Sequence, residues 1–203
     1  MSILLINSEV SNIGSWKRIL HENNFDFMLS NELNINFNAV KKIIFPGVGN
    51  FGKVINNVKR SNLNKIIPDL LKNKDIKYLG VCVGMQILLD YSEECESEGL
   101  GLISGNVKKL NFKDFPSTHN GWNNISIINN NFKIIKKIDQ NKDFYFNHSY
   151  FCKVKNRKNI VSTLKNNDEI STIIQKENIY GVQFHPEKSH EAGIDLIKNF
   201  LSA

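Results

Sequence analysis

The sequence is poor in arginine, cysteine and long apolar runs. Of its 26 basic residues only Arg18, Arg60 and Arg157 are arginine. Arginine is the usual bidentate reader of bases and phosphates, so its scarcity argues against a nucleic-acid groove despite a net charge of +6. The lysines that carry this charge are scattered in ones and twos, as at Lys41-Lys42 and Lys108-Lys109, and read as solvated surface. The three cysteines, Cys82, Cys95 and Cys152, are an odd number set far apart. That spacing fits neither a disulfide framework nor a metal cluster. The longest apolar stretch, Tyr78 to Leu89, contains Gln86 and two glycines and falls short of the roughly 20 residues that a bilayer span requires. Met1-Ser2 leads directly into Ile3 to Ile6, without the basic and long apolar segments of a secretory leader. No phosphate-cradling Gly-rich loop with an adjacent lysine is present, and no repeat or low-complexity tract. The expectation is a soluble, cytoplasmic protein that uses no metal or cofactor and binds neither nucleic acid nor membrane.

What is there is ordinary globular material. The chain has 203 residues, 41% hydrophobic and 23% charged, enough for a single domain over 1–203 with its own core. In the first half, short apolar runs alternate with helical patterns. Ile3 to Ile6, Phe25 to Leu29, Lys42 to Phe45 and Tyr78 to Val81 read as strands, the third stopping at Pro46-Gly47. Ser15 to Glu22 reads as a helix with Trp16, Ile19 and Leu20 on one face. Residues 53–73 read as two helical pieces, broken near Ser61 and strained at Pro68, and Gly84 to Tyr91 as a further helix. After Leu100 come short strand-like runs at Val107 to Leu110, Ile125 to Ile128, Phe144 to Phe146, Val161 to Leu164, Ile170 to Ile174 and Tyr180 to Phe184, then a closing helix, Ala192 to Leu201. The β-α-β-α alternation favours an α/β fold with a parallel sheet covered by helices on both faces.

The sharpest local feature is Gly80-Val81-Cys82-Val83-Gly84. A strand runs into a helix with Cys82 at the bend, the pattern of a nucleophile elbow with cysteine in place of serine. Such a turn strains the nucleophile's backbone, and flanking glycines let neighbouring chain pack close. A thiol at a helix N-terminus has its thiolate favoured by the dipole, and the Val83 N–H is placed to stabilise an oxyanion. The alternative is a core cysteine at a strand end. A thiol nucleophile also needs a base. Among five histidines His185 stands out, because Glu187 follows it across Pro186. In extended backbone residues i and i+2 share a face, so Glu187 can orient the imidazole and stabilise its charge. A lone His-x-Glu is more often a surface pair; beside the elbow it reads as base and orienting group.

Through these and further motifs the chain resembles the class I, triad-type glutamine amidotransferases, and within them the glutaminase subunits of imidazole glycerol phosphate synthase. The resemblance spans almost the whole sequence. It rests on Pro46-Gly47-Val48-Gly49-Asn50-Phe51, on Gly80 to Gln86, on His119-Asn120-Gly121-Trp122-Asn123, on Phe144-Tyr145-Phe146-Asn147-His148-Ser149-Tyr150, and on Gly181 to Ser189. It implies the flavodoxin-like amidotransferase fold, with a mixed, mostly parallel central sheet and an additional antiparallel β portion in the C-terminal half. It implies that Cys82 attacks the side-chain amide of L-glutamine, that His185 and Glu187 complete the triad, and that a glutamyl thioester is hydrolysed to glutamate. Val48 and Gly49 join Val83 as oxyanion donors, unless Gly47 to Gly49 is only a tight turn. Gly47, Gln86, His148, Ser149 and Tyr150 become substrate contacts; an ordinary surface glutamine and a structural histidine turn are the alternatives for Gln86 and His148. The implied partner is a (β/α)8-barrel synthase subunit that receives the ammonia and forms imidazole glycerol phosphate for histidine biosynthesis. Asn12, Trp122, Tyr145 and Lys188 match interface positions, with core packing the alternative for Trp122.

Two departures from the family pattern stand out. The family reads Asp-Tyr-Gly-x-Gly-Asn after the first strand, where this chain has Asn7 to Asn12 with only the final Asn kept, and the proline usual before the Gly-Trp-Asn histidine is displaced to Pro116. Because the first loop lies near the partner, a paralogue that supplies ammonia for surface-sugar amidination is a competing reading. A catalytically silent scaffold is disfavoured by the intact Cys82, His185 and Glu187, and a cysteine peptidase by the Gly-Met-Gln and His-Pro-Glu-Lys-Ser contexts.

Overall fold

The computed structural model describes residues 2–8, 12–32, 35–136, 138–139 and 141–203. The first half follows the expected alternation: β1 (Ser2–Leu5), α1 (Ile13–Glu22), β2 (Phe27–Leu29), β3 (Val40–Gly47), α2 (Phe51–Arg60), α3 (Leu63–Leu70), β4 (Lys77–Cys82) and a short α4 (Val83–Gln86). Trp16, Ile19 and Leu20 are the buried face of α1. The Ser61 break separates α2 from α3, and Pro68 lies inside α3.

The second half is β-rich: β5 (Tyr91–Ser92), β6 (Ser97–Glu98), β7 (Gly105–Lys109), β8 (His119–Asn123), β9 (Ile125–Ile127), β10 (Phe144–His148), β11 (Tyr150–Val154), β12 (Ile160–Leu164), β13 (Asn167–Lys176) and β14 (Ile179–Val182), closed by α5 (His190–Ser202). Among the described residues the main sheet has eight strands in the order β2-β1-β3-β4-β14-β13-β12-β9. The run from β2 to β14 is parallel, and β13, β12 and β9 continue it antiparallel. Ile3 to Leu5, Tyr78 to Cys82 and all of β14 are buried on both faces, as strands covered by helices must be. The buried Lys42 of β3 donates to the Phe200 carbonyl at 2.9 Å and so anchors α5 against the sheet. Two smaller sheets stand beside the main one: the antiparallel ribbon β8–β10, and the four strands β11-β7-β5-β6.

Three local expectations are corrected. β3 does not stop before Pro46 but runs on to Gly47, paired with Cys82 of β4. Ile44 accepts from Ile6, just beyond β1, so Pro46, two residues on, turns its N side the same way. β1 has already ended there, and the missing N–H costs no ladder bond. The helix after Cys82 covers four residues rather than Gly84 to Tyr91. The carbonyls of Ile87, Leu88 and Leu89 accept from residues 100–103 instead of from a next helical turn. The last parallel strand ends at Val182, not at Phe184, and Pro186 opens a 3₁₀ turn over Pro186–Lys188.

At the β4–α4 junction glycine is a packing requirement. A Cβ on Gly84 would lie 2.0 Å from the Phe45 carbonyl oxygen, and one on Gly80 would lie 2.1 Å from the Gly84 carbonyl oxygen. Gly14, in α1, has nothing within 4 Å of such a Cβ. The same substitution therefore has opposite signs at two sites. Gly84→Ala is expected to lose about 3 kcal/mol through overpacking against backbone, and Gly14→Ala to gain about 0.5 kcal/mol of helix propensity. Urea unfolding of the two variants measures both, and equal effects would refute this account of the junction.

Candidate active site

Cys82 sits at φ 53°, ψ −109°, a left-handed conformation that L residues rarely adopt. β4 delivers it from below, and the Gly80–Gly84–Phe45 packing locks the turn. The cysteine is 3% exposed at the floor of a cleft of about 210 Å³, the volume class of a single amino acid. Gly49, Val83, Gln86, Glu94, Asn147, His148, Ser149 and Tyr150 complete the lining. Val83 opens α4, where a backbone N–H finds no partner inside the helix. With one turn of helix behind it, however, the dipole expected to favour the thiolate is small. Side chains supply more. The Gln183 amide donates to Cys82 Sγ at 3.7 Å, and His185 is close enough to interact with it electrostatically.

His185 and Glu187 are brought together, though not by extended backbone. His185 precedes the 3₁₀ turn, and that turn swings Glu187 back so that its Oε1 lies 3.0 Å from His185 Nδ1. Tyr145 of β10 holds the turn from both ends. Its carbonyl accepts from His185 N–H at 2.8 Å. Its N–H donates to Ser189 Oγ at 3.0 Å, and the Ser189 hydroxyl donates to the His185 carbonyl at 2.6 Å. Glu187 Oε2 is buried without a hydrogen-bond partner, so the carboxylate's stabilisation comes through His185. Burial alone lowers the imidazole pKa, but the hydrogen bonds and charges of Cys82 and Glu187 outweigh it and raise His185 to about 10.

The predicted substrate residues divide. Gln86 is buried rather than on a helix surface; its amide donates to the Tyr150 carbonyl at 3.0 Å and lines the cleft. Ser149 and Tyr150 line it too, and Ser149 Oγ lies 2.8 Å from Thr118 Oγ1. His148 is buried and paired with His119 at 3.2 Å. Of the predicted oxyanion loop only Gly49, at φ 86°, reaches the cleft lining. Val48 is not among the lining residues, and Gly47 packs under the elbow, where a Cβ would lie 2.5 Å from Gly84 N. Three residues were missed by sequence reasoning. Glu94 accepts from Asn50 Nδ2 at 2.9 Å and from Phe51 N–H at 2.8 Å; Asn147 lends a carbonyl 3.9 Å from Cys82 Sγ; and Gln183 adjoins the thiol. Glu94 carries no motif signal, whereas Gln183 stands inside the Gly181-to-Ser189 motif.

The interface candidates lie on an outer face. Trp122 is 45% exposed, which excludes core packing. It stacks flat on His190, centroids 4.9 Å apart, and meets Tyr145 edge-on. Lys188 is exposed, its Nζ 5.6 Å from the Tyr145 ring centre. Asn12 precedes α1 without capping it through its side chain. Residues 9–11, the middle of the departing loop, lie outside the described residues. A larger hollow of about 260 Å³ near Asn7, Ser30 and Arg60 is lined by no cysteine or histidine. Among the described residues no His, Cys, Asp and Glu cluster has metal-binding geometry, and no helix is long and apolar enough to cross a membrane.

The family model for class I glutamine amidotransferases matches residues 5–203. The chain belongs to that family. Its relatives include the imidazole glycerol phosphate synthase subunit HisH of Leptospira borgpetersenii, 39% identical over 202 residues and covering 98% of each chain. The subunit HisH 2 of Methanococcus maripaludis is 37% identical over 202 residues with the same coverage. In fold it is similar to a chain of PurLQS from Thermotoga maritima, with a TM-score of 0.76 at 17% identity over 99% of this chain and 97% of that one. It is also similar to a glutamine amidotransferase from Thermotoga maritima, with a TM-score of 0.69 at 17% identity over 100% of this chain and 84% of that one.

The histidines of the cleft titrate in opposite directions. Burial pushes His119 down to about 4 and, with His119 close by, His148 down to about 3. The unfolded chain therefore binds protons below about pH 6.5 that the folded chain refuses, and stability is lost as pH falls through that window. His185 is raised instead; its contribution is complete below about pH 6.5 and lost at alkaline pH. Between about pH 6.5 and 5 the net loss is expected to be about 2 kcal/mol. Urea midpoints across that range check the sign, and a midpoint that rises on acidification would contradict it.

Proposed function

We propose that the chain is the glutaminase subunit of imidazole glycerol phosphate synthase and acts in histidine biosynthesis. The observation that carries this reading is a cleft-floor Cys82 at a positive φ beside a buried His185 that is hydrogen-bonded to Glu187 at 3.0 Å, in a chain 39% identical over its whole length to a HisH subunit. No observation favours the surface-sugar reading.

The chemistry follows from the atoms present. Glutamine enters the cleft with its side-chain amide at Cys82 and its α-ammonium toward the Glu94 carboxylate. The Cys82 thiolate adds to the amide carbon, and the charge passes to the amide oxygen. The Val83 N–H, with Gly49 on the facing wall, stabilises it. His185 gives its proton to the departing nitrogen, the C–N bond breaks, and ammonia leaves a glutamyl thioester. The now neutral His185 takes a proton from water, the hydroxide adds to the thioester, and collapse expels the Cys82 thiolate and glutamate. His185 ends as it began. Glu187 keeps the imidazole in line throughout. We assign all of these roles, and the single domain over 1–203, as proposals.

The ammonia needs an acceptor at once, since in water at neutral pH it is protonated and ceases to be a nucleophile. We assign that role to a (β/α)8-barrel synthase subunit docked on the face of Trp122, Tyr145 and Lys188, with Asn12 at its margin.

Two measurements test the reading together. The chain with its synthase partner is expected to turn over glutamine at least about 100-fold faster than the isolated chain, as loss or gain of one oxyanion donor produces. Cys82→Ala is expected to abolish turnover while leaving the complex intact. Comparable turnover by Cys82→Ala sinks the nucleophile assignment; full-rate turnover without any partner sinks the reading of a gated subunit.

A further inference from the structure

Beside the triad, two buried histidines form a ladder that fixes its own protonation. His148 Nδ1 lies 2.9 Å from the Tyr150 carbonyl oxygen. A carbonyl only accepts, so the proton is on Nδ1. His148 Nε2 then faces His119 Nδ1 at 3.2 Å, and His119 Nε2 faces Asn123 Nδ2 at 3.2 Å. With both rings neutral, one arrangement satisfies every contact. The Asn123 amide donates to His119 Nε2, His119 Nδ1–H donates to His148 Nε2, and His148 Nδ1–H donates to Tyr150. Aromatic neighbours hold His119 in this pose: it stacks on Phe146 at 4.5 Å and meets Phe115 edge-on at 5.3 Å.

The ladder continues past Tyr150. The same carbonyl accepts from Gln86 Nε2 at 3.0 Å, which fills both of its lone pairs. Gln86 Nε2 also approaches Gln183 Oε1 at 3.4 Å, and Gln183 Nε2 donates to Cys82 Sγ at 3.7 Å. Asn123 of β8, next to Trp122, is thus joined to the thiol by an unbroken chain of side chains and one carbonyl. No link has a spare partner, so reversing one tautomer breaks the next bond. The titratable groups around the pair are His185, which acts on His148, and Cys82 and Glu94 across the cleft.

We propose that His119 is a positioning residue of the glutaminase site: as the Nδ1–H donor to His148 it holds the Tyr150 carbonyl onto Gln86 and so fixes the wall that grips glutamine. The inference rests on the glutaminase reading. His119→Phe keeps the stacked ring and deletes the donor, whereas His119→Asn keeps an N–H near the Nδ1 position. In the complex with the synthase partner, His119→Phe is expected to raise the glutamine KM about tenfold with kcat within about threefold, and His119→Asn to recover most of the loss. An unchanged KM in His119→Phe, or equal losses in both variants, overturns the proposal. A second measurement does not depend on catalysis. Nitrogen-15 spectra of the histidine-labelled protein at neutral pH are expected to show a protonated Nδ1 and a bare Nε2 on both rings. An Nε2–H tautomer on either ring overturns the ladder. Absence of glutamine hydrolysis by the unmodified complex overturns the glutaminase reading instead, and the spectra still decide the ladder.

Discussion

Everything at the site depends on one backbone constraint, the left-handed turn at Cys82. β4 must end there, because its last residue points its side chain out of the sheet and not along it. The turn is possible only because backbone occupies the space that side chains would need: Gly80 lies against the Gly84 carbonyl, and Gly84 against the Phe45 carbonyl. β3 and β4 therefore have to stay in register to their ends, Gly47 beside Cys82. The parallel sheet is thus the clamp that stores the strain of the elbow, and burial of its strands on both faces is what lets it hold.

The cleft then sets two electrostatic environments side by side. His185 is buried but is given a carboxylate and a thiol, so it stays charged. His119 and His148 are buried and given only neutral partners, so they stay uncharged. The distinction is made by a few hydrogen-bond partners and not by depth: the Glu187 carboxylate accepts from the first ring, whereas the others have a neutral carbonyl acceptor and a neutral amide donor. One set of histidines can then carry protons while the other holds geometry, without exchange of roles at neutral pH.

The sequence made the strands and helices of the first half legible up to β4, because short apolar runs alternate there with helical patterns. Cys82 and the His185–Glu187 pair were legible for a different reason: the glycines and Pro186 mark places where the chain must bend. What was missed has a common cause. Strand β8 carries His-Asn-Gly-Trp-Asn and shows no alternation; it is a strand because β10 pairs with it. The elbow helix stops early because residues 100–103 take the carbonyls of Ile87 to Leu89 just beyond it. Glu94 joins the cleft through contacts with Asn50 and Phe51, 44 and 43 residues away in sequence. In each case a long-range hydrogen bond overrides a local pattern, and no window of sequence contains it.

The size of the cleft bears on why the activity is divided between chains. The cleft at Cys82 is about 210 Å³, a size that suits one amino acid. On the proposed reading, ammonia released in the cleft is used at a second site. Tyr145 links that chemistry to an outer face: its backbone carries two of the hydrogen bonds that hold the 185–189 turn, and its ring packs with Trp122 and Lys188. An indole left 45% exposed and stacked on a histidine is rigid and amphipathic, the character of an interface anchor. A partner that covered it would press on the same strand that seats His185. The net charge of +6 is diffuse and almost wholly lysine, the character of solvated surface charge.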